Sequence, residues 1–375
     1  MKTILFLPSN DHHVKIFHGI SEILKKDFRI LFLTQGSFKN EGVEKELSKL
    51  GTNFKKIDEY DRVEPKFILE SENVSLVVIG NDTDVIPQWF VNQCSDYNIP
   101  SVLIQDGIQF DFKRHNKKFS DIISKKDSSL KLQKLALKLR LTKKYKKISY
   151  GLGNCTQIHV WGDSQKKYLV RKGADESRIF ITGYFLLDKI KKSNSDSRTI
   201  LYAPSDLVFS KILNAKDMEG ITNTLYSAVS SMKNVTLVVR PHPREDTALF
   251  EDVNKSVNIT LSESNFFDLV GESSIMISDI SSTILEALLY KKQVIVFLPQ
   301  IHDIVDPDSF PLDLVKLKAV HLAEDEKQLS DTITSLLEKK NDPIENLSVF
   351  LGPMDGQESL RSAKLIAQII DSQYQ

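Results

Sequence analysis

Short apolar runs rich in Ile, Leu, Val and Phe alternate with longer amphipathic stretches along almost the whole chain. Continuous apolar runs mark strands buried on both faces, and the periodic stretches between them are the helices that cover such strands. In the first half this pattern predicts strands over Thr3–Leu7, Arg29–Leu33, Asn53–Ile57, Leu76–Ile79, Ser101–Ile104 and Gln157–Val160. In the second half it predicts Thr199–Ala203, Thr236–Val239, Asn258–Leu261, Ile275–Ile277 and Val294–Leu298, then a closing helix from Gln357 to Ser372. The alternation lapses at 183–198, where Lys189 to Ser197 is polar and rich in turn formers, as a linker should be. The expected fold is α/β: two Rossmann-like, doubly wound domains, 1–182 and 199–375, facing a cleft. The last helix is a candidate to cross back to the first domain. A ligand is expected in the crevice outside the carboxyl ends of the strands.

Composition adds limits rather than an activity. The 375 residues suit two ordinary cores. With 50 basic and 50 acidic side chains the whole molecule has no pull on polyanions, so any such attraction must be local. Cys94 and Cys155 lie far apart and read as structural thiols of a reducing compartment. The first apolar run is too short for a signal peptide, and no window approaches a membrane span. The expectation is a cytoplasmic protein. One local patch stands out, a basic insertion at about 111–150 with lysines and arginines from Lys113 to Lys147. Leu132, Leu135 and Leu139 recur there at helical spacing, which predicts a basic amphipathic helix. Three readings stay open: docking on the anionic inner face of a membrane, holding a polyanionic acceptor, or a solvated helix packed on its domain. Nucleic-acid binding by this segment is a weaker option and is not expected.

Candidate chemistry gathers at strand ends. In the second half one strand runs into Arg240-Pro241-His242-Pro243, where two prolines restrict the backbone and aim the His242 ring. Another runs into Ser278-Asp279-Ile280-Ser281-Ser282-Thr283 before an apolar helix. Ser281, Ser282 and Thr283 at a helix start either cap it or grip a phosphate that the helix dipole favours. Arg240 either neutralises a diphosphate or pairs with Glu245 or Asp246. His242 either binds phosphate or caps a turn. Together these groups point to a nucleotide-activated donor. In the first half, Asp106-Gly107 follows a strand and offers a general base, or an ordinary turn dipeptide. The loop Ser9-Asn10-Asp11-His12-His13 follows the first strand, and a cap by Asn10 or Asp11 explains part of it. Neighbouring histidines point apart and no third ligand stands at useful spacing, while Asp306-Pro307-Asp308 reads as a turn, so no metal is expected.

The order of His159-Val160-Trp161-Gly162, Gly173-Ala174, Ile179 to Gly183, Leu201-Tyr202-Ala203-Pro204-Ser205, Arg240-Pro241-His242-Pro243 and Ser278-Asp279 through Ser281-Ser282 resembles the two-domain GT-B glycosyltransferases. Within them it is similar to CDP-glycerol glycerophosphotransferases, capsule polysaccharide transferases and CMP-sialic-acid-dependent polysialyltransferases. The resemblance implies an inverting, metal-independent transferase without a cofactor. It would move a sugar, or a polyol phosphate, from a CMP-, CDP- or UDP-linked donor to a hydroxyl of a cell-surface glycan or lipid-linked acceptor. It makes His242 the ligand of the donor phosphate, brings Ser205 to that phosphate and puts Glu286 on the ribose, although an exposed helical Glu286 is an equal reading. It turns the Asn10, His12 and His13 loop toward the acceptor, where a histidine would assist the base or bind an acidic acceptor. Where relatives carry His-Gly, or an acidic pair before Gly, this chain has Gln105-Asp106-Gly107. Two other readings share the architecture: a UDP-sugar 2-epimerase, which needs no acceptor, and a nucleotide-binding protein without turnover.

Overall fold

Runs such as Ile4 to Leu7 and Val102 to Ile104 are fully buried, as strands covered on both faces must be. The structure, a computed structural model, describes residues 1–36, 42–111, 113, 148–185, 198–250, 258–338 and 347–372. Most of the predicted linker, and the basic insertion apart from its edges, lie outside the described residues. The chain forms two units.

The first unit holds β1 (Thr3–Leu7), β2 (Arg29–Thr34), β3 (Phe54–Lys56), β4 (Val74–Ile79), β5 (Ser101–Ile104), β6 (Gln157–Val160) and β7 (Ile179–Ile181). Their order is β3-β2-β1-β4-β5-β6-β7, and every pairing is parallel. The second unit holds β8 (Thr199–Tyr202), β9 (Thr236–Val239), β10 (Ile259–Leu261), β11 (Ile275–Ser278), β12 (Gln293–Phe297) and β13 (His321–Ala323). Their order is β10-β9-β8-β11-β12-β13, again parallel throughout. Strand order reverses between β1 and β4 in the first sheet and between β8 and β11 in the second. Crevices for ligands open at such reversals, outside the carboxyl ends of the strands.

The expected boundary at 199–375 changes at its end: Ser348–Gln375 belongs with the first unit, and the second closes at Leu347. The last helix, Glu358–Ser372, does cross back. Its Ser362 hydroxyl meets His159 Nδ1 at 2.7 Å, and Arg361 Nε donates to the Thr182 carbonyl at 2.7 Å. Burial takes the His159 ring down to about 3, so this seat is uncharged. The approach of the returning chain is close. A Cβ on Gly352, whose φ is +70°, would lie 2.1 Å from the Trp161 carbonyl oxygen. Gly352→Ala is therefore expected to lower stability by about 1–3 kcal/mol through overpacking and backbone strain. A thermal melt that keeps the wild-type midpoint would refute this.

Candidate active site

In the first unit the chain leaves β1 through Ser9 and enters the first helix, Asp11–Leu24. Asn10 is its N-cap, and the Asn10 side chain accepts the His13 N–H at 2.8 Å. The cap sets the first turn so that His13 points inward, 1% exposed. There its Nδ1 accepts the Ser9 backbone N–H at 3.0 Å. An accepting Nδ1 leaves the proton of the neutral ring on Nε2. That nitrogen meets Asp106 Oδ2 at 2.6 Å. Gly80, just past β4, makes room for the ring, since a Cβ there would lie 2.5 Å from it. Gln35, past β2, donates to the Ser9 hydroxyl at 3.3 Å. Four strand ends thus converge on one imidazole and carboxylate pair.

Burial works against charge on Asp106, but the electrostatic attraction and hydrogen bond of the His13 Nε2–H, with a smaller contribution from His12, outweigh it and hold the carboxyl below its ordinary value. The Asp106 side chain is 22% exposed, so a substrate hydroxyl can reach it. Gly107 has neither a left-handed backbone nor a crowded Cβ position, so the fold makes no demand for glycine there. Gln105 explains the departure from an acidic pair. Its Oε1 accepts the Trp161 N–H at 2.7 Å, and its Nε2 donates to the Gly107 carbonyl at 2.9 Å. A carboxylate would accept the first bond and have no hydrogen for the second. His12 differs from its neighbour. Its Nε2 is enclosed without a partner among the described residues, and burial takes the ring down to about 4. At neutral pH it carries no charge with which to pair an acidic acceptor.

In the second unit the adjacent ends of β8 and β11 are bolted together. Asp279 takes the Ser205 N–H on both oxygens at 3.0 Å, the Ser205 hydroxyl at 2.6 Å and the Ile280 N–H at 2.5 Å. The Ser278 hydroxyl donates to the Ala203 carbonyl at 2.6 Å. Both donors of Ser205 are spent inside the protein, so the expected phosphate ligand is instead the anchor of its loop. Burial pushes the Asp279 carboxyl up to about 6 despite these donors. The helix Thr283–Leu289 starts nearby. Ser281 is its capping hydroxyl, accepting the Thr283 N–H at 3.3 Å and the Thr283 hydroxyl at 2.8 Å. Ser282 has helical backbone and makes no cap bond.

Arg240 makes neither of its expected ion pairs. Its Nε donates to the Ser264 carbonyl at 3.1 Å, and the guanidinium lies 5.7 Å from the Phe266 ring centre, in the field of Glu286. Glu286 thus acts on Arg240 within the protein. Glu245 is buried and accepts the amides of Val208 at 2.7 Å and Phe209 at 3.1 Å, while Asp246 caps the Ala248 amide at 3.0 Å. His242 is half-buried, and its Nδ1 accepts the Arg244 N–H at 3.2 Å. As with His13, the proton of the neutral ring then sits on Nε2, which here is a donor for a ligand. Burial moves the ring below the ordinary histidine value, with Asp206 opposing and Arg244 and Arg240 adding to the shift. Asp306 and Asp308 form the expected turn, Asp306 Oδ1 accepting the Asp308 N–H at 3.1 Å. Among the described residues no three His, Cys, Asp or Glu side chains gather as a metal site, and no helix is long and apolar enough to cross a membrane.

Three solved structures share this architecture over nearly their full length. The S. aureus MnaA–UDP co-structure is 14% identical, with 99% of this chain and 97% of that one covered and a TM-score of 0.64. The Neisseria meningitidis UDP-GlcNAc 2-epimerase bound to UDP-GlcNAc is 15% identical, with 98% and 100% covered and a TM-score of 0.64. The wall teichoic acid polymerase TagF, soaked with CDPG, is 16% identical, with 100% and 90% covered and a TM-score of 0.58. These likenesses define the fold as GT-B, with two Rossmann-like units. Residues 172–371 match the model of the CDP-Glycerol:Poly(glycerophosphate) glycerophosphotransferase family, and the chain belongs to that family. It is accordingly a transferase of nucleotide-linked sugar or polyol-phosphate units. No curated protein sequence matches it. The matched stretch includes Ser205, His242 and Asp279, whereas His13 and Asp106 precede it.

Proposed function

We propose that this enzyme moves a polyol-phosphate unit from a CDP-linked donor to a hydroxyl of a cell-surface polymer or lipid-linked acceptor, without a metal. The observation that carries the reading is the 2.6 Å pair of His13 Nε2 and Asp106 Oδ2 at the strand ends of the first unit. A carboxylate kept ionised beside a tautomer-locked imidazole is equipped to take a proton from an alcohol. The acceptor oxygen attacks the donor phosphorus remote from the nucleoside. Its O–P bond forms as its proton passes to Asp106, the bridging P–O bond breaks, and CMP leaves with that electron pair. The Nε2–H of His242 supports the negative charge of the phosphates during this exchange. The setting is the cytoplasmic face of a membrane, and lysines of the 113–147 stretch supply charge that suits an anionic surface.

The test is CMP release from CDP-glycerol, measured with and without a glycerol-phosphate oligomer as acceptor. The expected result is release that depends on the oligomer. Conversion of a UDP-sugar in the absence of any acceptor would favour the epimerase reading. Tight nucleotide binding with no turnover of CDP-, CMP- or UDP-linked donors would leave a non-catalytic binding protein.

A further inference from the structure

We propose that Arg244, rather than Arg240, supplies the guanidinium that meets the donor's phosphates, and that Asp206 holds it until the donor arrives. The inference rests on the donor reading above and names a residue of that same site. Arg240 is committed to Ser264, Phe266 and the field of Glu286. Arg244 is not. Its side chain is 50% exposed, and Nη2 reaches Asp206 Oδ2 at 2.7 Å. That oxygen is buried, and the contact lacks the angles of a hydrogen bond, so a better-aligned anion can displace it. A phosphate presents more charge and more acceptor oxygens than one carboxylate, and the guanidinium fork fits it with two parallel bonds.

The surroundings hold the arginine ready. Its guanidinium lies 5.4 Å from the ring centre of Phe209, which is 57% exposed in a surface loop. Glu245 pins that loop through the Val208 and Phe209 amides. The backbone N–H of Arg244 is also the group that fixes the His242 tautomer. One short turn therefore presents a neutral Nε2–H donor and a fixed cation, the two kinds of group that a phosphate takes together.

Calorimetric titration at pH 8, where His242 is neutral with or without Asp206, tests this with CDP, cytidine and inorganic pyrophosphate. Arg244→Gln is expected to weaken CDP and pyrophosphate by about tenfold or more and to leave cytidine unchanged. Arg240→Gln should change CDP affinity by less than about threefold. Asp206→Asn should tighten pyrophosphate, because the internal competitor is gone, whereas a purely structural role for the pair predicts weakening. The proposal is overturned if Arg244→Gln binds pyrophosphate like the wild type, if Asp206→Asn weakens it, or if the wild type binds no pyrophosphate. Wild-type binding of pyrophosphate but not CDP would instead refute the choice of donor. Circular dichroism on each variant separates misfolding from lost affinity.

Discussion

Replacing Asp106 by Asn is expected to cut acceptor-dependent CMP release by about 10²–10⁴-fold while leaving CDP affinity unchanged. Asparagine keeps the shape, and its carbonyl oxygen still accepts the His13 Nε2–H. What it loses is the basic oxygen that takes the proton of the acceptor. An Asp-Gly turn would tolerate Asn equally well, so near-normal turnover in this variant would remove the base. The pH profile gives a second reading. Burial raises the Asp106 pKa, but His13 and His12 more than reverse it, so the folded value lies below the ordinary carboxylate value. The base is then ionised throughout pH 5–8, and no acid limb from this group should appear there. In His13→Gln the burial is less opposed, the carboxyl rises, and activity should begin to fall at higher pH than in the wild type. An unmoved profile would mean that His13 does not tune Asp106.

Much of the fold was legible because its strands are buried on both faces and leave continuous apolar runs. β7 and β13 escaped that signal; like the predicted β3 and β10 they are only three residues long and lie at the rim of their sheets, where so short a run carries little of it. The returning helix was amphipathic in sequence, but its destination depended on close approach. A Cβ on Gly162 would lie 2.5 Å from the Val349 carbonyl oxygen. The Trp161-Gly162 and Gly183 signature that suggested the family is therefore a seat for the chain's own C-terminal segment.

The candidate site was legible as residue types and hidden as partnerships. His13 and Asp106 stand 93 residues apart, and Ser205 and Asp279 stand 74 apart. No local pattern shows that an aspartate will consume both donors of a serine. One usable signal was present. On a helix starting at Asp11, His13 shares a face with Phe17, Ile20 and Leu24, all buried. Helical spacing alone therefore favoured His13 over His12 as the inward ring. Arg240 and Arg244 are both arginines flanking the Pro-His-Pro turn, and only their partners in the fold, Ser264 and Phe266 against Asp206 and Phe209, distinguish them.

On the donor side, His242→Ala is expected to lower kcat/KM for the CDP-linked donor by about 10- to 150-fold, the equivalent of about 1.5–3 kcal/mol for a hydrogen bond to a charged phosphate. The Arg244 N–H occupies Nδ1, so the ring has one hydrogen to offer, on Nε2. His242→Gln carries an amide N–H to nearly the same place and should recover part of the loss, whereas Ala cannot. Burial holds the ring below the ordinary histidine pKa of 6.5. If the neutral ring is the donor, this step should be flat between pH 7 and 8.5 on the wild-type profile. Were imidazolium required, activity would instead fall as pH rises through the lowered pKa. A turn-capping role predicts something else again: loss of melting temperature in both variants with kcat/KM preserved, since capping stabilises the loop whether or not a donor is bound.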